Sequence, residues 1–330
     1  MSRLLAFLGG HATWVLFVGV FLGLALPQLS SLARPLLAPC VVVLLTATLV
    51  RIDWRLMLGY LRRPGVAAVI VAWLLVGSPL LTAGLLALLP TPLPGSLTTA
   101  LVLMAAAPPI LSAAPLAMIL GLDGALALVT ALIATLLTPL TVPPLALALL
   151  GLELDLGVAE FMGRLAVVIA VACAAALAIR RLIGRERLPR VATHLDGLVV
   201  AVMLLFAVAI MDGVTATLLE RPLIVGFWLA AAFVANPALQ LAGAAAFAWL
   251  RRRRALTVGL VSGNCNMGLL LAAFPPGTDT DVVLYFAVAQ LPMYMLPAVM
   301  RPLYRRLVAP DPGPPSGPPA GPKDSSIRMG

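Results

Sequence analysis

In a chain that is 62% hydrophobic and 11% charged, two short stretches carry the residues able to do chemistry. The first is Ala107-Pro108-Pro109-Ile110-Leu111-Ser112-Ala113-Ala114-Pro115. Its prolines cannot all sit in one continuous helix, since each removes a backbone donor and clashes one turn back. The second is Ser262-Gly263-Asn264-Cys265-Asn266-Met267-Gly268, which sets asparagines and glycines inside Leu/Ala/Val sequence. The residues at these breaks placed to contact a solute are Pro109, Ser112, Gly263, Asn264, Cys265 and Asn266. Ser112, Asn264 and Asn266 can donate hydrogen bonds, and Gly263 and Gly268 permit close backbone approach. Each break also starts a half-helix whose free N–H groups and positive dipole end would point into it. No carboxylate stands there to repel a negative group, so the chemistry suits an organic carboxylate or sulfonate. The competing structural account makes the prolines ordinary kinks and the asparagines interhelical hydrogen-bond glue.

The remaining polar residues offer less. A proton relay needs acidic groups at membrane depth, yet every Asp and Glu falls in a loop or near a helix end. Asp123 closes a turn, Asp196 and Asp212 bracket one predicted helix, and His11 and His194 lie near boundaries. Cys40 and Cys173 sit in apolar helical context and read as core. Cys265 stands in a break, but a single thiol is a poor site for a soft metal or metalloid. There is no metal-ligand spacing, nucleotide-binding loop or hydrolytic triad, so no enzyme, metal or cofactor is expected.

The elements that must position the two breaks follow from composition. A soluble domain is about 45–50% apolar and about 25% charged, so 330 residues at mean hydropathy +1.08 exclude a water-soluble globule. Three cysteines and little charge exclude a disulfide scaffold and a disordered chain. The net charge of +9 does not point to nucleic acid, because the arginines sit in short clusters between apolar runs. A membrane span needs about 20 apolar residues. Apolar runs predict ten helices, at 11–29, 35–50, 65–90, 97–120, 125–150, 158–179, 193–212, 222–249, 255–274 and 281–303. The fold class is an all-α polytopic membrane protein.

An internal repeat organises these helices. Pro139 and Pro143 recur as Pro292 and Pro297, at offsets of 153 and 154, and the same offset carries Leu111 of the first break to Asn264 of the second. Two five-helix halves must be inverted relative to each other, which is a transporter architecture. The repeats are 1–150 and 151–307, followed by a Pro/Gly-rich cytoplasmic tail at 308–330 that is expected to be disordered. The first run has the basic start of a signal peptide, but a repeat partner argues that it is retained. All but Arg34, Arg164 and Arg221 of the 22 Lys and Arg residues fall on the side of the N-terminus. Basic residues mark the cytoplasmic face, so both termini are expected inside. Trp54 and Trp249 lie beside basic loops, as interfacial anchors would.

The basic turn Leu61-Arg62-Arg63-Pro64, the break at 107–115 followed by Thr138-Pro139, and Ala255-Leu256…Gly263-Asn264-Cys265-Asn266-Met267-Gly268-Leu269 together resemble the bile acid:sodium symporter family of bacterial ten-helix permeases. The resemblance covers residues 1 to about 306, and its ninth-helix motif reads Glu-x-Gly-x-Gln-Asn-x-x-Leu in the family. It implies a panel domain packed on a core domain, with helices four and nine crossing in the core. It also implies two sodium sites built from side-chain oxygens. At those positions this chain has Ala113, Ala114, Ala127, Ala131, Val261, Cys265 and Leu74. Hard cations need several oxygen ligands, so sodium coupling looks lost.

The expected function is a permease of the bacterial inner membrane, moving a small organic anion by alternating access without sodium. The rival readings are a sodium-coupled symporter of the same fold, a metalloid (arsenite) exporter, and a non-transporting membrane receptor or scaffold. Arsenite exporters of a related superfamily use a cysteine in the broken fourth helix, where this chain has Ala107.

Overall fold

A computed structural model describes residues 12–52, 65–151, 157–184, 188–274 and 278–308. Within them the chain is helical, and its one β-bridge joins Pro109 to Cys265. Arg3, His11, Trp54, Arg55, the basic turn 61–64 and the tail beyond Val308 lie outside the described residues, as do the side chains of His194 and Asp196.

The elements are α1 (Ala12–Ala25), α2 (Pro27–Arg51), α3 (Gly65–Ala87), α4 (Gly95–Ala106), α5 (Ala113–Ile119), α6 (Gly124–Leu150), α7 (Val158–Ile183), α8 (Leu188–Ala209), α9 (Val214–Glu220), α10 (Pro222–Ala246), α11 (Arg252–Gly263), α12 (Met267–Ala273), α13 (Thr280–Val299) and α14 (Arg301–Val308). Among the described residues, seven helices are long and apolar enough to cross a bilayer: α2, α3, α6, α7, α10, α13 and the stretch Gly197–Glu220. Helices α4, α5, α11 and α12 are each too short to span alone.

Several boundaries differ from those predicted. Pro27 restarts the chain as a new helix at its first turn, so α1 stops at Ala25 and α2 begins eight residues before the expected 35. Helix α6 runs unbroken through Pro139, Pro143 and Pro144. A π-helical turn at Trp73–Gly77 interrupts α3, and the tenth predicted helix ends at Val299, with α14 following it.

Large apolar side chains such as Leu182, Leu223, Leu241 and Val167 are turned outward. In water that surface would aggregate; in a bilayer it meets hydrocarbon. Helix α7 shows the sorting, since its buried residues Phe161, Leu165, Ile169, Ala172 and Ala176 form one stripe. This is a multi-pass membrane protein. Most helix packing falls in two groups, one of α1, α2, α7 and α8 and one of α3, α4, α5, α6, α10, α11 and α13, and the groups meet where α6 packs on α7 and α13 on α1. Helix α12 touches both groups, packing on α2 and α7 as well as α13.

Candidate functional site

Helix α4 ends where its sequence forbids continuation. Ala107 precedes Pro108 and takes an extended conformation (φ −65°, ψ 140°), as a residue before proline prefers. The chain stays extended through Pro109 and turns into α5 at Ser112. Helix α11 stops at Gly263, and Asn264 and Asn266 leave helical geometry (φ −95°, ψ 74° and φ −83°, ψ 69°). The two breaks meet as an antiparallel bridge between Pro109 and Cys265. Ile110 N donates to Asn264 O at 2.9 Å, and Asn266 N to Pro108 O at 2.6 Å. Unpaired backbone groups at membrane depth cost several kcal/mol each, and these bonds satisfy four of them. Pro109 occupies the bridge position that needs no donor, so its missing N–H costs nothing there.

A cavity of about 110 Å³ opens beside the bridge. Its walls come from both helix groups: Val41, Leu44, Leu45 and Thr48 of α2, Val199, Met203 and Phe206 of α8, and Gln290, Met293 and Tyr294 of α13. Its floor is the paired breaks, through Ile110, Leu111, Ser112, Cys265, Asn266, Met267 and Gly268. No Asp, Glu, His, Lys or Arg lines it, and its polar groups are few against a wall of aliphatic, Met and Phe side chains. That is the composition of a small-molecule pocket.

Of the six residues expected to contact a solute, Ser112, Cys265 and Asn266 line this cavity, whereas Pro109, Gly263 and Asn264 do not. Ser112 is exposed and its side chain caps nothing. Asn266 divides its amide: Oδ1 accepts from Leu269 N at 3.1 Å and caps α12, while Nδ2 bonds to no described residue. The Gly268 N–H likewise has no partner among the described residues. Cys265 donates its thiol to Ser262 O at 3.2 Å. Asn264 is fully buried and donates Nδ2 to Leu260 O at 2.8 Å, leaving Oδ1 without a partner among the described residues. At Gly263 the close approach is to α10: an added Cβ would lie 2.5 Å from Gln240 Cγ and 2.6 Å from Asn236 O.

The wall residues on α2 and α8 escape a reading of the breaks, being aliphatic side chains like those that face lipid. Gln290 does carry a sequence signal: an amide in an apolar run, four residues before Tyr294. The positions where the family resemblance places sodium ligands are filled otherwise. Leu74, Ala113, Ala114, Ala127 and Val261 are buried together in one apolar cluster with Ile70, Val258 and Tyr304, and Ala131 is buried in the main core. Among the described residues no group of three or more His, Cys, Asp or Glu side chains stands close enough to hold a metal ion. No protein-family model matches the chain, and no curated protein sequence does either.

Proposed function

We propose that the chain is a permease of the bacterial inner membrane that moves a small organic anion by alternating access, without sodium. In this reading the fold is two inverted five-helix repeats, ten spans in all, similar to the bile acid:sodium symporter family. The observation that carries it is the antiparallel meeting of two helix breaks beside a cavity that lies between two helix groups. Unwound backbone at membrane depth is tolerated where it is buried or lines a cavity, and paired breaks in a transporter mark its binding site. A wall shared by two groups suits rocking of one against the other, because such motion would close the cavity on one side and open it on the other.

The solute's charge is argued from what faces it. Ser112, Asn266 Nδ2 and the Gly268 N–H supply donors on the floor, and no carboxylate opposes them. The aliphatic and Met wall would take an apolar body. Sodium independence rests on the apolar cluster that replaces an oxygen ligand set. The test is uptake of radiolabelled monocarboxylates and sulfonates into proteoliposomes, with sodium or with choline outside. Saturable uptake of at least one anion, equal in both salts, is expected. Steep sodium dependence would overturn the sodium-free reading. Absence of both uptake and any ligand-induced shift in melting temperature across the panel would overturn the permease.

A further inference from the structure

The carbonyl of Gly263 is the last of α11 at the break, and no backbone donor among the described residues reaches it. It accepts instead from Asn236 Nδ2 of α10 at 2.8 Å. Asn236 Oδ1 accepts from Gln240 Nε2 at 2.7 Å, and Gln240 Oε1 accepts from the Tyr304 hydroxyl of α14 at 2.6 Å. All three side chains are buried. The direction of the chain is fixed by chemistry: a carbonyl can only accept, so each amide must turn its nitrogen toward the break and its oxygen toward Tyr304. Tyr304 must therefore donate. Burial raises its phenol above the ordinary value, which keeps the proton in place. Helix α14 carries Arg301, Arg305 and Arg306 on its exposed side, with Tyr304 as its buried residue.

We infer that Tyr304, Gln240 and Asn236 are positioning residues of the site, through which the seating of the arginine-bearing helix α14 fixes the backbone at the α11–α12 break. Withdrawal of α14 removes the Tyr304 hydroxyl and leaves Gln240 Oε1 buried without a donor. The amides can regain partners only by rotating, and rotation releases the Gly263 carbonyl. The strand 264–266 that pairs with Pro108–Ile110 follows directly from that carbonyl. Gly263 belongs to the same device, since a side chain there would push Gln240 and Asn236 away. The inference takes the break to be part of the proposed solute site, but its test reads the break itself.

That test uses Cys265, which lines the cavity and is one of three cysteines in the chain. In full-length protein carrying Cys40→Ser and Cys173→Ala, N-ethylmaleimide reports the accessibility of Cys265 alone. Tyr304→Phe keeps the ring and removes the donor, and is expected to raise the labelling rate about fivefold or more. Gln240→Met fills the same space and breaks the chain at its middle, giving the same rise should Tyr304→Phe not be obtained folded. The double variant should exceed neither single one, since both cut one chain. Ser30→Ala removes a buried hydrogen bond to Gly23 O at the α1–α2 corner, where neither residue lines the cavity, and should lower melting temperature without changing the labelling rate. An unchanged rate in folded Tyr304→Phe and Gln240→Met would overturn the inference, because a purely structural role predicts lost stability alone. Failure of anion transport with the labelling response intact would remove the solute-site reading and leave the positioning in place.

Discussion

Asn266 has two separable jobs, one for each end of its amide. Its Oδ1 caps α12 at Leu269 N, and its Nδ2 is left for the cavity. Losing an N-cap costs about 1 kcal/mol, whereas losing a donor to a buried ligand oxygen costs about 1–3 kcal/mol of affinity. Asn266→Asp keeps the capping oxygen and exchanges the donor for a negative charge. It should melt close to the parent protein while anion affinity falls by about tenfold or more. Asn266→Ala should lose on both counts. Thermal unfolding and ligand titration on the same purified variants check this, and an Asp variant that binds anions as well as the parent would remove Asn266 from the site. The sequence made Asn266 legible because an amide in an apolar run stands out. It did not show that Asn264, two residues away, turns into its own helix and bonds Leu260 O. Both residues have the same type and the same neighbourhood, and only the bridge geometry decides which one faces the cavity. Val41, Leu44 and Val199 were illegible for the converse reason: a cavity wall that touches an apolar body uses the same residues as a lipid-facing surface.

The rigid part of the site is the α10–α11 pair, and glycines make it so. Gly243 leaves room for the Ser262 side chain, and Gly259 lies so close to α10 that an added Cβ would stand 2.5 Å from Gln240 O. Small residues that let helix backbones approach are the main source of tight packing where lipid offers no hydrophobic drive. Gly259→Ala must push backbone from backbone, at about 1–3 kcal/mol. Gly226, on α10 itself, has nothing within 4 Å of an added Cβ. Gly226→Ala should therefore be neutral or mildly stabilising, as alanine is the better helix former. Thermal unfolding in detergent separates the two, and equal melting temperatures would refute the close-packing account. Helix ends were legible where proline or glycine punctuates them, as at Ala107 before Pro108 and at Gly151, whose φ of +58° closes α6. They were misread at Pro27, where proline ends one helix and starts the next. The π-turn at Trp73–Gly77 had no signal in an apolar run; it accompanies a bond from Trp73 Nε1 to Ser262 Oγ at 3.0 Å, a tertiary partner 189 residues away.

Across the whole molecule, charge divides the two ends of the helices. Arg180 reaches Val50 O and Ile52 O at one end, where Arg253 also reaches Leu122 O and Arg254 stands 3.6 Å from Asp123. Arg51, Arg181, Arg251, Arg252, Arg301, Arg305 and Arg306 belong to that end, and among the described residues Asp123 is its one carboxylate. At the opposite end each arginine has an acid: Arg34 with Asp212, Arg164 with Glu160 and Arg221 with Asp281, while Glu220 and Asp279 add further negative charge. Pairing at that end lowers the cost of carrying those arginines across a bilayer, whereas the arginine-rich end sets one described carboxylate, Asp123, against its many arginines. The positive-inside rule therefore predicts that the arginine-rich end stays inside. Truncated fusions read this directly. A reporter joined after Gly184, which follows α7 at the arginine-rich end, should behave as cytoplasmic. One joined after Gly213, beside Asp212 and its Arg34 partner, should behave as exported. The reverse pattern at both sites would invert the molecule. One reporter on the same side at both sites would mean that α8, the helix between them, does not carry the chain across. The arginine clusters predict crossing with the charged end held in, and exchanging Arg180 and Arg181 for glutamate should weaken that retention, shifting part of the Gly184 fusion to the exported side.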